Sequence, residues 1–218
     1  MYIHDLNPVL ISFGFFEIRW YSLAYIFGIL IGWWLGKKII LNKFNNIKLC
    51  HIQDGISLTK FILQSRNNNK LLKDEYSIAH NLYQLRKQGV NFFRNSFDYI
   101  SALDKNAAIV HYKPSQVSSQ KLSNQSLLLL DSGAHYLEGT TDVTRTISFS
   151  KPKKFIKDIY TKVLKGHIAV AQTNLQKDNT GKKIDKRARK FLKVSNLDYA
   201  HGTGHGVGFF LNVHEGPQ

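Results

Sequence analysis

The sequence predicts an α+β domain that follows one membrane-spanning helix. Three observations carry this prediction. An uncharged apolar run occupies residues 20–36, and the patterns after it come in the order helix, strands, helix, helix, strand. The chain of 218 residues, 43% of them hydrophobic, is also long enough to bury one good core.

The apolar run has the length and the flanks of a membrane helix. The string WYSLAYIFGILIGWWLG carries no charge, and as a helix it would extend about 26 Å, slightly less than a hydrocarbon layer of ~30 Å. Aromatic residues lie at both ends, and Arg19, Lys37 and Lys38 flank the run. We predict a helix over about residues 19–41. Because most of the nearby basic residues follow the run, the positive-inside rule places residue 1 outside and the rest of the chain in the cytoplasm.

Two other interpretations of this run stay open. A cleaved signal peptide would have its basic residues before a shorter apolar core, whereas the lysine pair here follows the run. A buried helix of a soluble domain would have a similar composition. The membrane helix agrees best with the charges and aromatic residues at both ends.

The residues around the run resemble a known family. The strings Asn7-Pro-Val-Leu-Ile-Ser-Phe-Gly, Phe16-Glu-Ile-Arg-Trp-Tyr-Ser-Leu-Ala-Tyr and Gly32-Trp-Trp-Leu-Gly are similar to the start of prolipoprotein diacylglyceryl transferase. The resemblance covers about residues 6–46 and matches Tyr21 to a tyrosine that this family uses. It implies a membrane segment in contact with lipid. We do not expect transferase activity, because that enzyme has several spans and one helix cannot build its active site.

Net charge bears on which partners the chain can bind, and the cysteine count bears on its redox compartment. The formal net charge is +15 and the isoelectric point is near 9.8, but the lysines are spread over nearly every segment and form no basic stripe with interleaved aromatics. We therefore expect no nucleic-acid partner, while a basic surface can help the chain lie against anionic lipid. The single cysteine, Cys50, excludes an intrachain disulfide and is typical of a reducing compartment.

Composition changes near residues 43–49, where Asn45 and Asn46 interrupt the apolar pattern. We therefore predict a membrane segment over residues 1–46 and a second domain over residues 47–218. Periodicity and turn residues in the second domain predict helices at 74–87, 154–175 and 183–192, strands at 97–100, 107–112, 127–130 and 142–149, and polar loops at 67–69 and 118–125.

Two aspartates are candidate metal ligands. Asp131 follows the apolar run of residues 127–130, and Asp142 opens the next predicted strand, with Gly133 and Gly139 suited to turns between them. Pairing of these strands would bring both carboxylates together, and two buried like charges require a cation to neutralise them. Oxygen ligands with an imidazole favour manganese, cobalt or zinc. Two surface aspartates would show the same spacing, so the downstream histidines decide the interpretation.

Three histidines lie in one glycine-rich stretch, His201-Gly-Thr-Gly-His205-Gly-Val-Gly-Phe-Phe-Leu-Asn-Val-His214. The glycines make a helix here improbable, so His201 and His205 are not a helical zinc pair, and the sequence has no His-Glu-x-x-His motif. The glycine spacing is also not that of a phosphate loop, since no helix is predicted to begin there. Glycines around a histidine are typical of backbone held close to a ligand.

Residues of about 47–218 resemble the catalytic domain of aminopeptidase P, a metallopeptidase of the pita-bread fold. The resemblance rests on the strings Asp131-Ser-Gly-Ala-His-Tyr-Leu-Glu-Gly-Thr-Thr-Asp142-Val-Thr-Arg-Thr and His201–Pro217, with support from His51-Ile-Gln-Asp-Gly-Ile-Ser-Leu-Thr-Lys-Phe and Ile109-Val-His111-Tyr. It implies two divalent metal ions, manganese first, and cleavage of peptides with proline at the second position. Asp131, Asp142 and His205 would be metal ligands, and His111, His201 and His214 would surround the substrate.

The chain departs from this family in its metal ligands, and the membrane-like segment stands where the family has an N-terminal domain. The family has two further glutamate ligands after the position of Pro217, and Glu138 and Glu215 do not match them. We therefore expect an incomplete pita-bread domain with little or no activity, and a homodimer is a further expectation. The alternatives are a fragment of a lipid-modifying membrane transferase and a pita-bread module that binds without catalysis.

Overall fold

The computed structural model describes residues 8–67, 72–178 and 180–216. The chain divides into two compact units, Met1–Asn46 and Ile47–Gln218. The predicted polar loop at residues 67–69 lies mostly outside the described residues. Residue 1, which was predicted to lie outside the cell membrane, is also not among them.

The described part of the first unit contains a hairpin that was not predicted from the sequence. Strands β1 (Val9–Phe13) and β2 (Phe16–Arg19) pair antiparallel, and Gly14 between them adopts a left-handed φ of 61°. The helix α1 (Trp20–Asn67) starts directly after β2. This helix contains the only segment of the described chain that is long and apolar enough to cross a membrane, with a mean hydropathy of 1.5 and none of that segment buried.

The predicted end of the first helix, at about residue 41, is wrong. Helix α1 continues to Asn67 and contributes residues to both units. Asn45 and Asn46 cost helix propensity but do not remove a hydrogen bond as proline would. The later turns of α1 are also held by packing, because Cys50, Leu58 and Phe61 are almost completely buried in the second unit.

In the described part of the second unit, three further α-helices and six strands follow. They are α2 (Glu75–Lys87), β3 (Phe92–Asn95), β4 (Ile100–Leu103), β5 (Leu127–Ser132), β6 (Ala134–Tyr136), β7 (Gly139–Thr140), β8 (Val143–Ser148), α3 (Lys154–Ala171) and α4 (Gly181–Lys193). The strands form two antiparallel sheets, ordered β3-β6-β7 and β4-β5-β8. This architecture agrees with the predicted α+β class.

The main core joins α1, α2 and the β4-β5-β8 sheet. Phe61, Ile78, Leu82, Leu103 and Leu128 are its fully buried members. Asp74 caps α2 through a capping box, in which its side chain accepts from the main-chain N–H of Ser77. The helix predicted at residues 74–87 is therefore confirmed almost to the residue.

The strands predicted at residues 97–100 and 107–112 are wrong. A 3₁₀ helix, Asp104–Ala108, occupies much of the second segment, and His111 adopts a left-handed φ of 57°. The cause is the buried carboxylate of Glu75, which accepts hydrogen bonds from the Leu103 N–H at 2.7 Å and the Tyr112 hydroxyl at 2.7 Å. A buried carboxylate is costly unless it is hydrogen-bonded, and the β propensity of a short segment is weak against such a requirement.

The last two helices pack closely against one another. Gly166 in α3 faces the main chain of Ala188 in α4, and a Cβ there would lie 2.3 Å from the Ala188 carbonyl oxygen. Helix α3 ends four residues earlier than the predicted residue 175, at Ala171. The Asn174 side chain accepts from the Gln176 N–H in the turn that follows, a competing hydrogen bond that is typical of helix ends.

Candidate metal centre

Asp131 and Asp142 come together because their strands pair. In the β5-β8 ladder Asp131 lies opposite Thr144 and Ser132 opposite Val143, so Asp142 immediately precedes the paired segment. The predicted pairing of these two strands is confirmed. The β6-β7 hairpin occupies the residues between them. Gly133 allows the chain to turn into it, since a Cβ there would lie 2.0 Å from the Thr141 carbonyl oxygen.

The environment of Asp142 disfavours its charged form. Burial raises the pKa of Asp142 first, and the negative charge of Asp131 raises it further, while His205 and His214 act in the opposite direction. The Thr144 hydroxyl donates to Asp131 Oδ1 at 2.6 Å, which fixes the orientation of that carboxylate. This site is therefore a half-buried acidic pair in which a cation would relieve the repulsion.

His205 directs one ring nitrogen at this pair. Its Nδ1 lies 2.8 Å from the Gly206 carbonyl oxygen, which can only accept, so this contact assigns the proton to Nδ1 and the lone pair to Nε2. That Nε2 is 3.3 Å from Asp142 Oδ2. Metal-binding histidines commonly donate the second ring N–H to a main-chain carbonyl in this way.

The spacing of these donors fits a divalent ion. Two donors that each lie about 2.1 Å from one ion, at right angles, are about 3 Å apart, and the separation of Asp142 Oδ2 and His205 Nε2 is 3.3 Å. In the described part of the chain, however, no three His, Cys, Asp or Glu side chains converge into a ready-made metal group. Asp131 is close enough for its charge to raise the pKa of Asp142, so it is the third candidate donor beside this pair.

Two further histidines border the same space. The ring of His214 meets that of His205 edge-on, with centroids 4.3 Å apart, and lies 5.9 Å from the ring of His111. Five of the six residues predicted for the site thus form a chain of contacts, with Asp131 and Asp142 at one end and His111 at the other. The left-handed backbone of His111 is an uncommon conformation of the kind that clusters at functional sites.

His201 makes its contacts elsewhere. Its ring stacks on Tyr199 with centroids 4.7 Å apart, and its Nδ1 lies 2.8 Å from the Gly202 carbonyl oxygen. Its own carbonyl oxygen accepts from Arg189 Nη2 at 2.8 Å. The contacts of the His201 ring are therefore with Tyr199 and Gly202 and not with the other predicted imidazoles.

Arg189 is a residue that sequence reasoning missed. It donates to the carboxylates of Asp185 and Asp198 and lies over the Tyr199 ring, 3.9 Å from its centroid. The hydrogen bond to Asp185 and then that to Asp198 raise the pKa of Arg189. Arg189 is one of seven basic residues in α4, and only its i,i+4 spacing from Asp185 distinguishes it in the sequence.

Two family models match the chain. The model of metallopeptidase family M24 matches residues 47–218, and that of prolipoprotein diacylglyceryl transferase matches residues 8–65. Both resemblances noted in the sequence are therefore confirmed. The second match extends past the residue, about 46, at which we expected it to end.

Relatives of known class cover most of this chain but are much longer. The probable Xaa-Pro aminopeptidases P of Podospora anserina and Tuber melanosporum are 46% and 47% identical to it, over 80% and 78% of its length. The same alignments cover 26% and 28% of those relatives. The chain thus spans little more than a quarter of their length.

Solved structures show the same fold. The X-prolyl aminopeptidase of Caenorhabditis elegans, a cytosolic enzyme with a di-nuclear active site, is 38% identical with a TM-score of 0.72, over 80% of this chain and 29% of that one. The prolidase of Pyrococcus furiosus is 25% identical with a TM-score of 0.64, over 78% and 49%. The predicted α+β fold of pita-bread type is confirmed by these likenesses.

Proposed function

Because residues 47–218 belong to metallopeptidase family M24, we propose that they carry part of the active site of a metal-dependent Xaa-Pro aminopeptidase. The observation that carries this proposal is the 3.3 Å approach of His205 Nε2 to Asp142 Oδ2 beside Asp131. The substrate class, peptides with proline at the second position, is supported by the names of the relatives and of the C. elegans neighbour.

Asp131, Asp142 and His205 would hold the metal. Two carboxylates and one imidazole suit manganese, with cobalt and zinc as alternatives. When bound, a pair of divalent ions neutralises developing charge and supplies a hydroxide nucleophile at neutral pH. The hydroxyl of Thr144 keeps Asp131 oriented toward the site through its 2.6 Å hydrogen bond, and the Gly206 carbonyl keeps the lone pair of His205 on Nε2.

The remaining imidazoles would act on the peptide. The rings of His214 and His111 follow that of His205 in a chain of ring contacts, and imidazole is the side chain that most often transfers protons in catalysis. We assign to them the binding of the scissile carbonyl oxygen, the stabilisation of the oxyanion and the proton donation to the proline nitrogen. His201 belongs to the same proposal, with its main chain held by Arg189.

We expect the 218-residue polypeptide to bind Mn²⁺ but to cleave a tripeptide with proline at the second position far more slowly than ordinary enzymes, for which kcat is about 1–1000 s⁻¹. The physical reason is that three protein donors hold a two-ion centre weakly. The measurement is release of the N-terminal amino acid with Mn²⁺ and with EDTA. Turnover in the ordinary range would contradict this expectation. Absence of Mn²⁺ binding would instead favour the alternative of a non-catalytic binding module.

The N-terminal unit would attach the protein to lipid. The apolar side chains of α1 are exposed, for example Ile29 at 69% and Trp33 at 67%, and residues 8–65 match a family that acts at membranes. Lys37 and Lys38 lie over Trp33 and Trp34 as cation–π pairs, which suits an interfacial end of a span. We place residues 47–218 on the cytoplasmic side. The match to the transferase model includes no residue of the metal centre, so it supports lipid contact rather than transfer chemistry.

We expect the chain to stay with membranes after carbonate extraction, because about 17 apolar residues in one helix insert stably into a hydrocarbon layer. Replacing Leu30 and Trp33 by aspartate should release it, whereas the same change at Val117, a 98% exposed loop residue, should not.

The side of the membrane on which residues 47–218 lie can be tested with a protease. Protease added to inverted vesicles should digest residues 47–218, and digestion only in right-side-out vesicles would contradict the cytoplasmic placement. Sedimentation of the detergent-solubilised chain would report whether it is a dimer.

A further inference from the structure

We propose that His135 and Thr140, in the hairpin between the two aspartates, are positioning residues that hold the segment carrying His205 and His214. This segment, residues 205–215, is called the histidine loop below. The juxtaposition that carries the proposal is the approach of both side chains to one main-chain oxygen of that loop, the Leu211 carbonyl.

The hairpin presents these two side chains together. His135 in β6 lies directly opposite Thr140 in β7, so both side chains are on the same face of the hairpin. His135 Nε2 lies 2.8 Å from the Leu211 carbonyl oxygen, and the Thr140 hydroxyl donates to the same oxygen at 3.2 Å. Both residues are buried, at 6% and 4% exposure. A carbonyl that accepts hydrogen bonds from two buried side chains is fixed in position more firmly than one that faces only water.

The histidine loop needs an external anchor. It is closed at its base by Gly206 and Glu215, which exchange main-chain hydrogen bonds of 2.8 and 3.0 Å. At its tip Phe210 adopts a left-handed φ of 52°, which is unfavourable for an aromatic residue and persists only where the surroundings impose it. The ring of Phe210 meets the edge of the His135 ring, with centroids 5.8 Å apart. The hairpin thus supports the strained tip through a ring contact and through the Leu211 carbonyl.

This anchor connects the acidic and the imidazole parts of the site. The hairpin is the chain segment between Asp131 and Asp142, so any shift of the histidine loop against the hairpin changes the 3.3 Å separation of Asp142 and His205. His214 follows Leu211 by three residues, and its ring packs on that of His205. Fixing the Leu211 carbonyl therefore limits how far both imidazoles can move from the carboxylates.

The test uses the full chain in detergent. One variant combines His135→Leu with Thr140→Val and removes both donors to the Leu211 carbonyl. A second variant, His135→Gln, keeps an N–H donor at position 135 in the form of the side-chain amide. Hydrogen exchange at the main-chain N–H of Gly206, Gly208 and Glu215 should become about 10-fold faster in the double variant His135→Leu/Thr140→Val, because both side-chain hydrogen bonds to the Leu211 carbonyl are lost. His135→Gln should restore slow exchange. His167→Leu, which removes an exposed histidine of α3, is the control and should change nothing in the loop.

A second readout is Mn²⁺ affinity, which depends on the proposed function whereas the exchange experiment does not. We expect the double variant to bind Mn²⁺ about 10–100-fold more weakly, as is usual when a supporting residue of a metal site is lost, with His135→Gln close to the wild type. If the wild type itself binds no Mn²⁺, the metal-site proposal fails and the exchange result still decides the anchor. Unchanged exchange in the double variant would overturn the anchor. Equally fast exchange in the Gln and Leu variants would also overturn it, and Thr140→Val provides a milder test should His135→Leu unfold the domain.

Discussion

Asp142→Asn is expected to change two properties in opposite directions: Mn²⁺ affinity falls by more than about 100-fold, and the melting temperature in metal-free buffer rises. The first effect follows because the variant removes one of only three candidate donors. The second follows because burial and then the charge of Asp131 raise the pKa of Asp142, so its ionised form is less favourable in the folded chain than in the unfolded chain.

The direction of the stability effect depends on pH. A carboxyl whose pKa is raised by folding binds its proton more tightly in the folded state, so the free energy of unfolding falls as the pH rises through that pKa. Asparagine carries no charge and removes this loss. The gain in melting temperature should therefore be present at neutral pH and should vanish once the pH is below the ordinary value for an aspartate.

The measurements are Mn²⁺ titration followed by electron paramagnetic resonance, and thermal unfolding with EDTA at neutral and acid pH. Asp158→Asn is a suitable control, because Asp158 is an exposed aspartate that pairs with Lys162 on α3. It should leave Mn²⁺ binding unchanged. Retention of wild-type Mn²⁺ affinity by Asp142→Asn, or a lower melting temperature in EDTA, would contradict the placement of Asp142 in a strained metal centre.

The sequence was most informative where one local pattern carried both structure and chemistry. The apolar run of residues 127–130 predicted a covered strand that ends in Asp131, and the structure has that strand paired with the one that follows Asp142. The glycines around His205 correctly excluded a helix. In both cases the determinants lie within a few residues of the feature, so they can be read from a single sequence.

The features that escaped prediction are set by distant partners. Glu75, Arg86 and Asp54 are charged residues, which are almost never fully buried unless they are paired, yet all three are 0–3% exposed. Their partners lie about 30 or more residues away along the chain. The loop around His111 takes its conformation from Glu75, so neither that loop nor the contacts of His111 could be derived from local propensity. His135 was overlooked for the same reason, because its partner Leu211 is 76 residues away.

Arg86→Met is expected to reduce the free energy of unfolding by about 3–5 kcal/mol, as is usual when one partner of a buried ion pair is removed. Arg86 is fully buried and donates to both carboxylate oxygens of Asp54, at 2.6 and 2.8 Å. Its guanidinium also lies 5.1 Å from the centre of the Tyr99 ring. The variant leaves the Asp54 carboxylate buried with the Tyr136 hydroxyl, at 3.1 Å, as its remaining side-chain donor.

This pair connects the second half of α1 to α2 and, through Tyr136, to β6, the strand that carries His135. Burial first and the charge of Asp54 second raise the pKa of Tyr136, so its hydroxyl stays protonated and donates throughout the neutral range. Loss of Arg86 should therefore weaken the packing of all three elements together. We expect one cooperative transition at lower urea concentration rather than local fraying.

Urea unfolding of three variants separates charge burial from lost packing. Asp54→Leu combined with Arg86→Met leaves no buried charge, and it should recover most of the stability that Arg86→Met loses. Lys113→Met breaks an exposed pair with Asp98, and such surface pairs contribute little because water screens them. If the double variant were less stable than Arg86→Met, the side chains would act mainly through their volume. If Lys113→Met were as damaging as Arg86→Met, burial would not be what makes the Asp54–Arg86 pair important.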